Sequence, residues 1–249
     1  PPTPSVSNDG PLTCIKLTVT MTALPATGVT YSWSNGSTIQ TSNTTTPGTY
    51  TVTVTNNSNG CTATASTVVT QDITPPTPTA SNNGPLTCIK TTVIMTALPA
   101  TGVTYAWSNG SVIQTSNATT PSTYTVTVTN NSNGCTATAS TIVTQDITQP
   151  NVIVSNNGPL TCAKTTVLMT ALPATGVTYA WSNGSVIQTS NTTTPGTYTV
   201  TVTNNSNGCT ATASTVVAQD ITPPTPSASN DGPLTCIKTS VIVTALPAT

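Results

Sequence analysis

The sequence contains no histidine, arginine, glutamate or phenylalanine, and charged residues of every kind are scarce. Only 4% of its 249 residues are charged, and the formal net charge is −1. The usual general bases, zinc ligands and phosphate-binding forks are therefore missing, which argues against an enzyme and implies no cofactor. Four lysines cannot form the basic surface that nucleic acid requires. No apolar run approaches the length of a membrane span.

The residues that are abundant favour β-structure. Threonine supplies roughly a quarter of the chain, a strong deviation from average usage. Threonine, valine and isoleucine suit a pleated, half-buried surface. Disordered chains usually combine low hydrophobicity with a high net charge and few β-branched residues, and neither holds here. The composition is typical of an all-β extracellular protein.

The sequence repeats itself every 74 residues. The first cysteine of each repeat lies at Cys14, Cys88, Cys162 and Cys236, and the second lies at Cys61, Cys135 and Cys209. This period predicts repeat 1 at 1–74, repeat 2 at 75–148, repeat 3 at 149–222 and the start of repeat 4 at 223–249. Since the chain stops at Thr249 inside a predicted strand, we expect it to be part of a longer array.

Each repeat is predicted to form six or seven short strands. Strands are predicted in repeat 1 where apolar residues alternate with polar ones or where strand-forming residues follow a turn. These segments are 14–23, 29–33, 38–41, 49–55 and 61–70. Asn35-Gly36 is a strong hairpin signal and predicts that 38–41 is the return strand. Short strands with turns every 8–12 residues indicate an antiparallel sandwich. Domains of about this size can fold independently.

The cysteine spacing predicts one disulfide inside each repeat. Cys14 and Cys61 enclose about 48 residues, and closing such a loop stabilises a fold by roughly 4 kcal/mol. Every complete repeat contains two cysteines, and both recur at the same positions within the repeat. The predicted bonds are Cys14–Cys61, Cys88–Cys135 and Cys162–Cys209, with the partner of Cys236 beyond the chain. The alternative is a pair of buried free thiols in a reducing compartment.

The aromatic residues are expected to be structural. Trp33 lies on the strand that carries the core tryptophan of immunoglobulin sandwiches. The alternative is a surface residue that stacks on a sugar, with Tyr31 as its partner. Tyr50 follows Pro47-Gly48 at the start of a late strand, which fits a tyrosine corner whose hydroxyl binds the backbone.

The few charged residues are candidates for contacts between repeats. An acidic residue near each repeat end and a lysine near the start of the next could pair across the joint, for example Asp72 with Lys90. The candidates are Asp72, Lys90, Asp146, Lys164, Asp220 and Lys238. A Lys–Asn isopeptide bond is a second hypothesis. A solvated lysine and a turn-capping aspartate are the plain alternative, worth at most about 1 kcal/mol.

Alternating threonines predict a hydroxyl-rich outer face. Thr49, Thr51, Thr53 and Thr55 recur at strand spacing, followed by Thr62 and Thr64. A regular threonine array could match an ice lattice, although exposed threonine on a β-surface is the commoner explanation.

Three segments carry a resemblance to a known family. Residues 31–36, 47–55 and 59–64 read YSWSNG, PGTYTVTVT and NGCTAT. They resemble the immunoglobulin-like or PKD-like repeats of Bacteroidota surface proteins, including gliding-motility adhesins exported by the type IX system. The resemblance covers the three complete repeats and the partial fourth. It implies an extracellular, cell-attached filament or stalk.

The sequence thus predicts an all-β tandem array of immunoglobulin-like antiparallel β-sandwich domains, each with one disulfide. The favoured function is a semi-rigid spacer in the stalk of an extracellular, cell-surface adhesin. Its partners would be neighbouring repeats, other copies in a filament and a distal ligand that the sequence does not identify. The alternatives are a multivalent glycan- or ice-binding array, a self-assembling fibre subunit and a spacer in a secreted enzyme.

Overall fold

The computed structural model describes residues 1–246. These residues form two compact units, one of Pro1–Leu86 with Lys90–Asp146, the other of Thr87–Ile89 with the chain from Ile147 onward. Residue Thr249, where we expected a strand to be interrupted, lies outside the described residues. Within the described range, no helix has the length and apolar character needed to cross a bilayer.

Eight strands form in repeat 1, and the longer ones are rich in threonine and valine, which favour extended backbone. They are β1 Ser5–Asn8, β2 Leu12–Thr13, β3 Val19–Leu24, β4 Val29–Trp33, β5 Thr41–Thr44, β6 Gly48–Asn56, β7 Thr62–Val69 and β8 Gln71–Asp72. The predicted strands at 29–33, 49–55 and 61–70 are confirmed to within two residues.

The same strands recur in the other repeats. Repeat 2 contains β9 Thr79–Asn82, β10 Leu86–Thr87, β11 Val93–Leu98, β12 Val103–Trp107, β13 Thr115–Ala118, β14 Ser122–Asn130, β15 Thr136–Val143 and β16 Gln145–Asp146. Repeat 3 contains β17 Ile153–Asn156, β18 Leu160–Thr161, β19 Val167–Leu172, β20 Val177–Trp181, β21 Thr189–Thr192, β22 Gly196–Asn204, β23 Thr210–Val217 and β24 Gln219–Asp220. The described part of repeat 4 contains β25 Ser227–Asn230 and β26 Val243–Leu246, which pair antiparallel.

Each complete repeat is a sandwich of two antiparallel sheets. In repeat 1 the sheets have the strand orders β1-β3-β5 and β4-β6-β7, and β2 pairs with β8 in parallel beside them. The second sheet corresponds to the C, F and G strands of immunoglobulin domains, and β1 and β3 correspond to A and B. The chain is therefore an all-β tandem array of immunoglobulin-like domains, as predicted.

The core of each repeat lies between its two sheets. Trp33 is 3% exposed, and its indole Nε1 donates to the carbonyl of Ile39 at 2.9 Å. Tyr31 packs at the edge of this core and donates to the carbonyl of Pro25. The core of repeat 1 consists of Leu12, Val19, Met21, Ala23, Trp33, Val52, Val54 and Val69. The prediction that Trp33 is a core residue is confirmed.

Tyrosine corners close all three repeats. The Tyr50 hydroxyl donates to the carbonyl of Thr46 at 3.0 Å. Tyr124 and Tyr198 make the equivalent bonds to Thr120 and Thr194, also at 3.0 Å. These bonds confirm the predicted role of Tyr50 at the start of β6.

The return strand predicted for 38–41 is wrong, although the turn at Asn35-Gly36 forms, with the N–H of Gly36 donating to the carbonyl of Trp33 at 2.9 Å. Instead of returning beside β4, the chain crosses to the other sheet, where β5 begins at Thr41 and pairs with β3. The Asn35 side chain donates to the carbonyl of Asn43 at 3.2 Å and so ties the turn to β5. The N–H of Trp33, at the end of β4, donates to the Ser37 carbonyl at 2.8 Å, and the indole bond to Ile39 then holds the crossing segment over the core.

The strand predicted for 14–23 is shorter than expected. Strand β3 begins only at Val19, and the side chains of Ile15 and Leu17 are 76% and 68% exposed. The backbone N–H of Thr13 donates to the carbonyl of Lys16 at 2.9 Å and closes a turn there. This turn carries the first cysteine out of the sandwich.

Candidate functional site: the disulfide-linked joint

The first half of the site is the turn at residues 13–16, which we call the tip turn. The N–H of Lys16 donates to Oγ1 of Thr13 at 2.9 Å, across the turn that the Thr13 N–H closes. The Lys16 ammonium lies 3.2 Å from Oδ1 of Asp9 and donates to the Asp9 carbonyl at 2.5 Å. These bonds present Cys14 and Ile15 at the end of the turn. The equivalent tip turns lie at 87–90, 161–164 and 235–238.

The second half is the loop between the last two long strands, residues 130–135 in repeat 2, which we call the socket loop. The N–H of Gly134 donates to the carbonyl of Asn130 at 2.8 Å. Oδ1 of Asn133 accepts from the N–H of Cys135 at 2.9 Å. The equivalent socket loops lie at 56–61 and 204–209. The loop is therefore held in shape by its own backbone and asparagine side chain.

The disulfide of the first unit joins the tip turn of repeat 1 to the socket loop of repeat 2. Cys14 is bonded to Cys135, 121 residues later, with 5.1 Å between their Cα atoms. In the second unit Cys88 is bonded to Cys209 with the same separation and the same Cα distance. The predicted pairing inside a repeat is therefore wrong.

The strand registers explain why Cys14 does not reach Cys61. Thr13 pairs in parallel with Asp72, at the far end of the run formed by β7 and β8. Cys61 lies before the start of β7, eleven residues earlier than Asp72. At about 3.3 Å per residue these positions lie roughly 35 Å apart, whereas a disulfide requires Cα atoms within about 7 Å. The two cysteines of a repeat therefore occupy opposite ends of its sandwich.

Three cysteines carry no bond. Cys61, Cys162 and Cys236 are free and exposed. Cys61 and Cys162 were predicted to be bonded, and this prediction is wrong for both. The reason is the same in each repeat: its two cysteines lie at opposite ends of the sandwich. For Cys236 the free thiol agrees with the expectation that its partner is not in the chain.

Asn133 supplies most of the polar contacts of the joint. Its amide nitrogen donates to Oδ1 of Asp72 at 2.9 Å and to the carbonyl of Thr74 at 3.0 Å. Its backbone carbonyl accepts from the N–H of Cys14 at 3.1 Å. Asn133 is 1% exposed, so this buried amide is satisfied by residues of two different repeats. In the second unit the equivalent Asn207 is also 1% exposed, and it donates to the carbonyl of Thr148 at 3.0 Å.

A close contact between isoleucine and glycine completes the joint. A Cβ atom at Gly134 would lie 2.4 Å from Cγ2 of Ile15, so only glycine leaves room for this side chain. Gly134 also has a φ of +69°, a conformation that glycine adopts at little cost. In the second unit a Cβ at Gly208 would lie 2.5 Å from Cγ2 of Ile89. Ile15 and Ile89 are exposed on their outer sides and in contact on their inner sides.

The structure places the charged candidates as follows. Asp72 contacts repeat 2 through Asn133, and Asp146 ends β16. Lys90 and Lys164 donate to the carbonyls of Asn83 and Asn157 at 2.6 and 2.5 Å. Asp220 accepts from the N–H of Thr222 at 3.2 Å, and Lys238 lies 3.0 Å from Asp231. The interdomain pairs between these lysines and aspartates stay a prediction.

Hydrogen bonds and a lysine stabilise the charged form of the aspartate behind two of the tip turns. The N–H of Thr20, followed by the nearby Lys16 ammonium, lowers the pKa of Asp9. Lys238, followed by the N–H of Ile242, lowers the pKa of Asp231. Across residues 1–246 we find no cluster of three metal-ligating side chains. The two repeats of the first unit are joined here by a disulfide, hydrogen bonds and a close isoleucine–glycine contact.

The residues that complete the joint were not identified from the sequence. The sequence pattern predicted only a strand that includes Ile15, and it did not mark Asn133 or Gly134 as contact residues. One signal was available: the motif Asn-Gly-Cys recurs at the second cysteine of each complete repeat.

Comparisons with known proteins give distant likenesses of fold only. No family model and no curated protein sequence matches the chain. The three N-terminal domains of the bacteriophage RB49 outer capsid protein Hoc are 14% identical, with a TM-score of 0.37, covering 89% of this chain and 99% of that one. Sidekick-1 immunoglobulin domains 1–5 are 14% identical with a TM-score of 0.28, covering 87% of this chain and 58% of that one. The FN1–FN3 domains of chicken CNTN1 are 12% identical with a TM-score of 0.24, covering 88% and 100%. The fold assignment therefore rests on the strand order and registers above.

Proposed function

We propose that this chain is part of an extracellular structural tether in which each repeat is covalently coupled to the next. The observation that carries the proposal is the bond between Cys14 in repeat 1 and Cys135 in repeat 2. The backbone already joins these repeats, so the disulfide provides a second covalent connection across the same joint. Two connections restrict bending and twisting far more than one linker does.

Several further observations support a mechanical role outside the cell. Disulfides persist mainly in oxidising compartments. The resemblance of the repeats to those of Bacteroidota surface adhesins supports a place at the cell surface and export by the type IX system. Near-identical repeats at 1–74, 75–148 and 149–222 suit a spacer, because length matters and no single position requires its own chemistry. The scarcity of charged side chains supports a non-enzymatic role.

In this tether, the disulfides decide which parts of the chain carry load. Force applied at the termini passes through residues 1–14 and crosses the Cys14–Cys135 disulfide. It then follows the chain back from 135 to 88, crosses the Cys88–Cys209 disulfide and passes through residues 209–249. This path contains about 100 residues of chain. The rest of the polypeptide forms slack loops parallel to it.

Stretching single molecules in the oxidised and reduced states tests the proposal. Fully extended chain spans about 3.3–3.6 Å per residue. The oxidised molecule should therefore stop extending at roughly 340–370 Å and the reduced molecule at roughly 820–890 Å. Equal limits in the two states would contradict a load-bearing role for the disulfides.

The outer face of the second sheet favours a second candidate function, binding to an ordered surface. Thr30, Thr55 and Thr62 lie side by side across three strands of repeat 1. Such rows repeat at strand and residue spacing, about 4.8 Å by 6.6–6.8 Å. Part of this array is internally satisfied, because the hydroxyls of Thr51 and Ser66 bond to each other at 2.8 Å.

Thermal hysteresis measurements on the whole chain test this candidate for ice, and glycan arrays test it for sugars. Activity that falls when Thr55→Lys interrupts the row would support the surface-binding role. An inactive wild-type chain would leave the tether as the function.

A further inference from the structure

We propose that Asn83 and Asn157 are sites of spontaneous deamidation, at which the fold itself favours conversion of the asparagine amide to a carboxylate. The inference goes beyond the proposed tether function, because it concerns a covalent modification that the tether does not require. It rests on the turn that lies behind the tip turn, at residues 82–84 in repeat 2 and 156–158 in repeat 3. We call this segment the back turn.

The sequence of the back turn provides the reacting groups. Asparagine is thermally labile, most of all before a glycine, and glycine follows both Asn83 and Asn157. The glycine nitrogen, unhindered by a side chain, loses its proton and attacks Cγ of the asparagine. The new N–C bond closes a succinimide ring, and the Cγ–Nδ2 bond breaks to release ammonia. Water then opens the ring, so that each site takes up water, releases ammonia and gains a carboxylate.

The back turn places an N–H group and a cation near the oxygen that becomes negative during the attack. Oδ1 of Asn83 accepts from the N–H of Ile94 at 3.0 Å. The Lys90 ammonium donates to the main-chain carbonyl of Asn83 at 2.6 Å, and a Cβ at Gly84 would lie 3.5 Å from it. Donors and cations aimed at a developing oxyanion lower the barrier to its formation. The surroundings of Asn83 therefore favour attack on its Cγ.

The back turn of repeat 3 has the same arrangement. The N–H of Leu168 donates to Oδ1 of Asn157 at 3.0 Å, and the Lys164 ammonium donates to the Asn157 carbonyl at 2.5 Å. A Cβ at Gly158 would lie 3.7 Å from this ammonium. Because the two sites match so closely, each serves as an internal standard for a variant of the other.

Repeats 1 and 4 already contain the product, because aspartate occupies this position as Asp9 and Asp231. Oδ1 of Asp9 accepts from the N–H of Thr20 at 3.0 Å and lies 3.2 Å from the Lys16 ammonium. The N–H of Thr20 lowers the pKa of Asp9, and the Lys238 ammonium lowers the pKa of Asp231. The position therefore stabilises negative charge on a side-chain oxygen, both in the product and during its formation.

The side chains of the other Asn-Gly pairs in repeat 2 are bound more firmly. The Nδ2 atom of Asn109 donates to the carbonyl of Asn117 at 3.0 Å and to Oγ of Ser116 at 2.9 Å. Asn133 is buried at the joint, where its Nδ2 donates to Oδ1 of Asp72 at 2.9 Å. Each of these amide nitrogens must give up its bonds before it leaves as ammonia.

The attacking N–H group is also held more loosely in the back turn. The N–H of Gly84 donates to Oδ1 of Asn82 at 3.1 Å, whereas those of Gly110 and Gly134 donate to main-chain carbonyls at 2.9 and 2.8 Å. A side-chain acceptor can rotate away, but a main-chain carbonyl is fixed by the fold. Gly84 therefore becomes a nucleophile with the least disturbance of the structure.

The modification gives repeats 2 and 3 the ion pair that repeats 1 and 4 already have. An aspartate at position 83 faces Lys90 as Asp9 faces Lys16. Lys90 belongs to the tip turn that carries Cys88, which is bonded to Cys209. Conversion of both sites adds two negative charges to a chain whose formal net charge is −1.

The test is incubation of the oxidised full chain in mildly alkaline buffer, followed by reduction, pepsin digestion at acid pH and mass spectrometry. We expect Asn83 and Asn157 to convert to the acid form at least about tenfold faster than Asn109 and Asn133. The control is the reduced chain in guanidinium chloride, in which all four residues should convert at similar rates. Equal rates in the folded chain, or the same preference in the unfolded chain, would overturn the proposal.

A variant at one site tests the contribution of the cation. Lys90→Met removes the ammonium and leaves Asn157 in its wild-type surroundings. Loss of one donor from a closed oxyanion site slows a reaction about a hundredfold or more, and because Asn83 is exposed to water we expect about tenfold. The conversion rate of Asn83 should therefore fall relative to that of Asn157. An unchanged ratio of the two rates, or a faster Asn83, would overturn the oxyanion argument on which the proposal rests.

Discussion

A serine substitution at Cys14 should increase the length to which the oxidised chain can be stretched, whereas one at Cys61 should not. Cys61→Ser should leave this length unchanged, because Cys61 is free. Cys14→Ser removes one shortcut, so load then follows residues 1–88 before crossing to 209. The two variants separate the observed pairing from pairing inside each repeat.

The magnitudes follow from the lengths of the loaded segments. Without the first disulfide the loaded path gains about 27 residues and loses one Cα–Cα link of 5.1 Å. At about 3.3–3.6 Å per residue, the extension should increase by roughly 84–92 Å. If Cys14 were bonded to Cys61, either substitution would release 47 residues, about 150–164 Å.

Force spectroscopy with handles at the two termini provides the assay. The free thiols are alkylated before the handles are attached, so that no new disulfide forms during pulling. Wild-type chain measured in reductant calibrates the fully extended length. An increase of about 150 Å or more in Cys61→Ser would refute the joint described here and the load path derived from it.

Tryptic digestion without reduction checks the same pairing by mass. The chain has four lysines and no arginine, so trypsin releases 1–16, 17–90, 91–164, 165–238 and 239–249. The structure predicts two separate linked pairs, 1–16 with 91–164 and 17–90 with 165–238. Bonds inside each repeat would instead link the first four peptides into one species.

Two further predictions concern the joint and the tip turn. Asn133→Ala should lower the free energy of unfolding, measured in urea, by about 1–3 kcal/mol, because it leaves buried partners unsatisfied. The control Asn59→Ala, at the exposed equivalent position, should change this free energy by less than about 0.5 kcal/mol. Similar losses in the two variants would contradict the burial argument. Because the folded-state pKa of Asp9 is lowered, its contribution to stability is present above the ordinary value of 3.8 and is lost as the pH falls through the folded pKa. The amide NMR signal of Thr20, whose N–H donates to Asp9, should therefore titrate below pH 3.8. The equivalent N–H of Ile94 donates to an asparagine, so its signal should not titrate. A titration of both signals would exclude Asp9 as the cause.

Local patterns in the sequence were sufficient to predict three strands of each repeat and its core tryptophan. Alternation of threonine with valine over 48–56 and 62–69 has the period of a half-buried strand, and the structure places both in one sheet. Trp33 and Tyr50 were predicted correctly because their roles depend on neighbours within a few residues along the strand or turn. The period of 74 residues likewise requires only comparison of the sequence with itself.

The same reasoning failed where a residue's neighbour lies far away in the chain. Ile15 continues the apolar alternation of β3, yet the tip turn directs it outward onto Gly134, 119 residues later. Strand β5 follows a hairpin signal but pairs with β3, where Thr44 lies opposite Val19, 25 residues earlier in the chain. In both cases a tertiary contact outweighed a local preference.

The amino-acid order by itself determined that this protein is a chain of small β-sandwiches with cysteines at regular intervals. It did not determine which sulfur meets which, because the entropy of closing a loop changes only slowly with loop length and favours no particular partner. Tertiary structure made that choice: the parallel register of Thr13 with Asp72 places Cys14 at one end of its sandwich and leaves Cys61 at the other. A bond of about 2 Å cannot span that length, so Cys14 bonds to the neighbouring repeat instead.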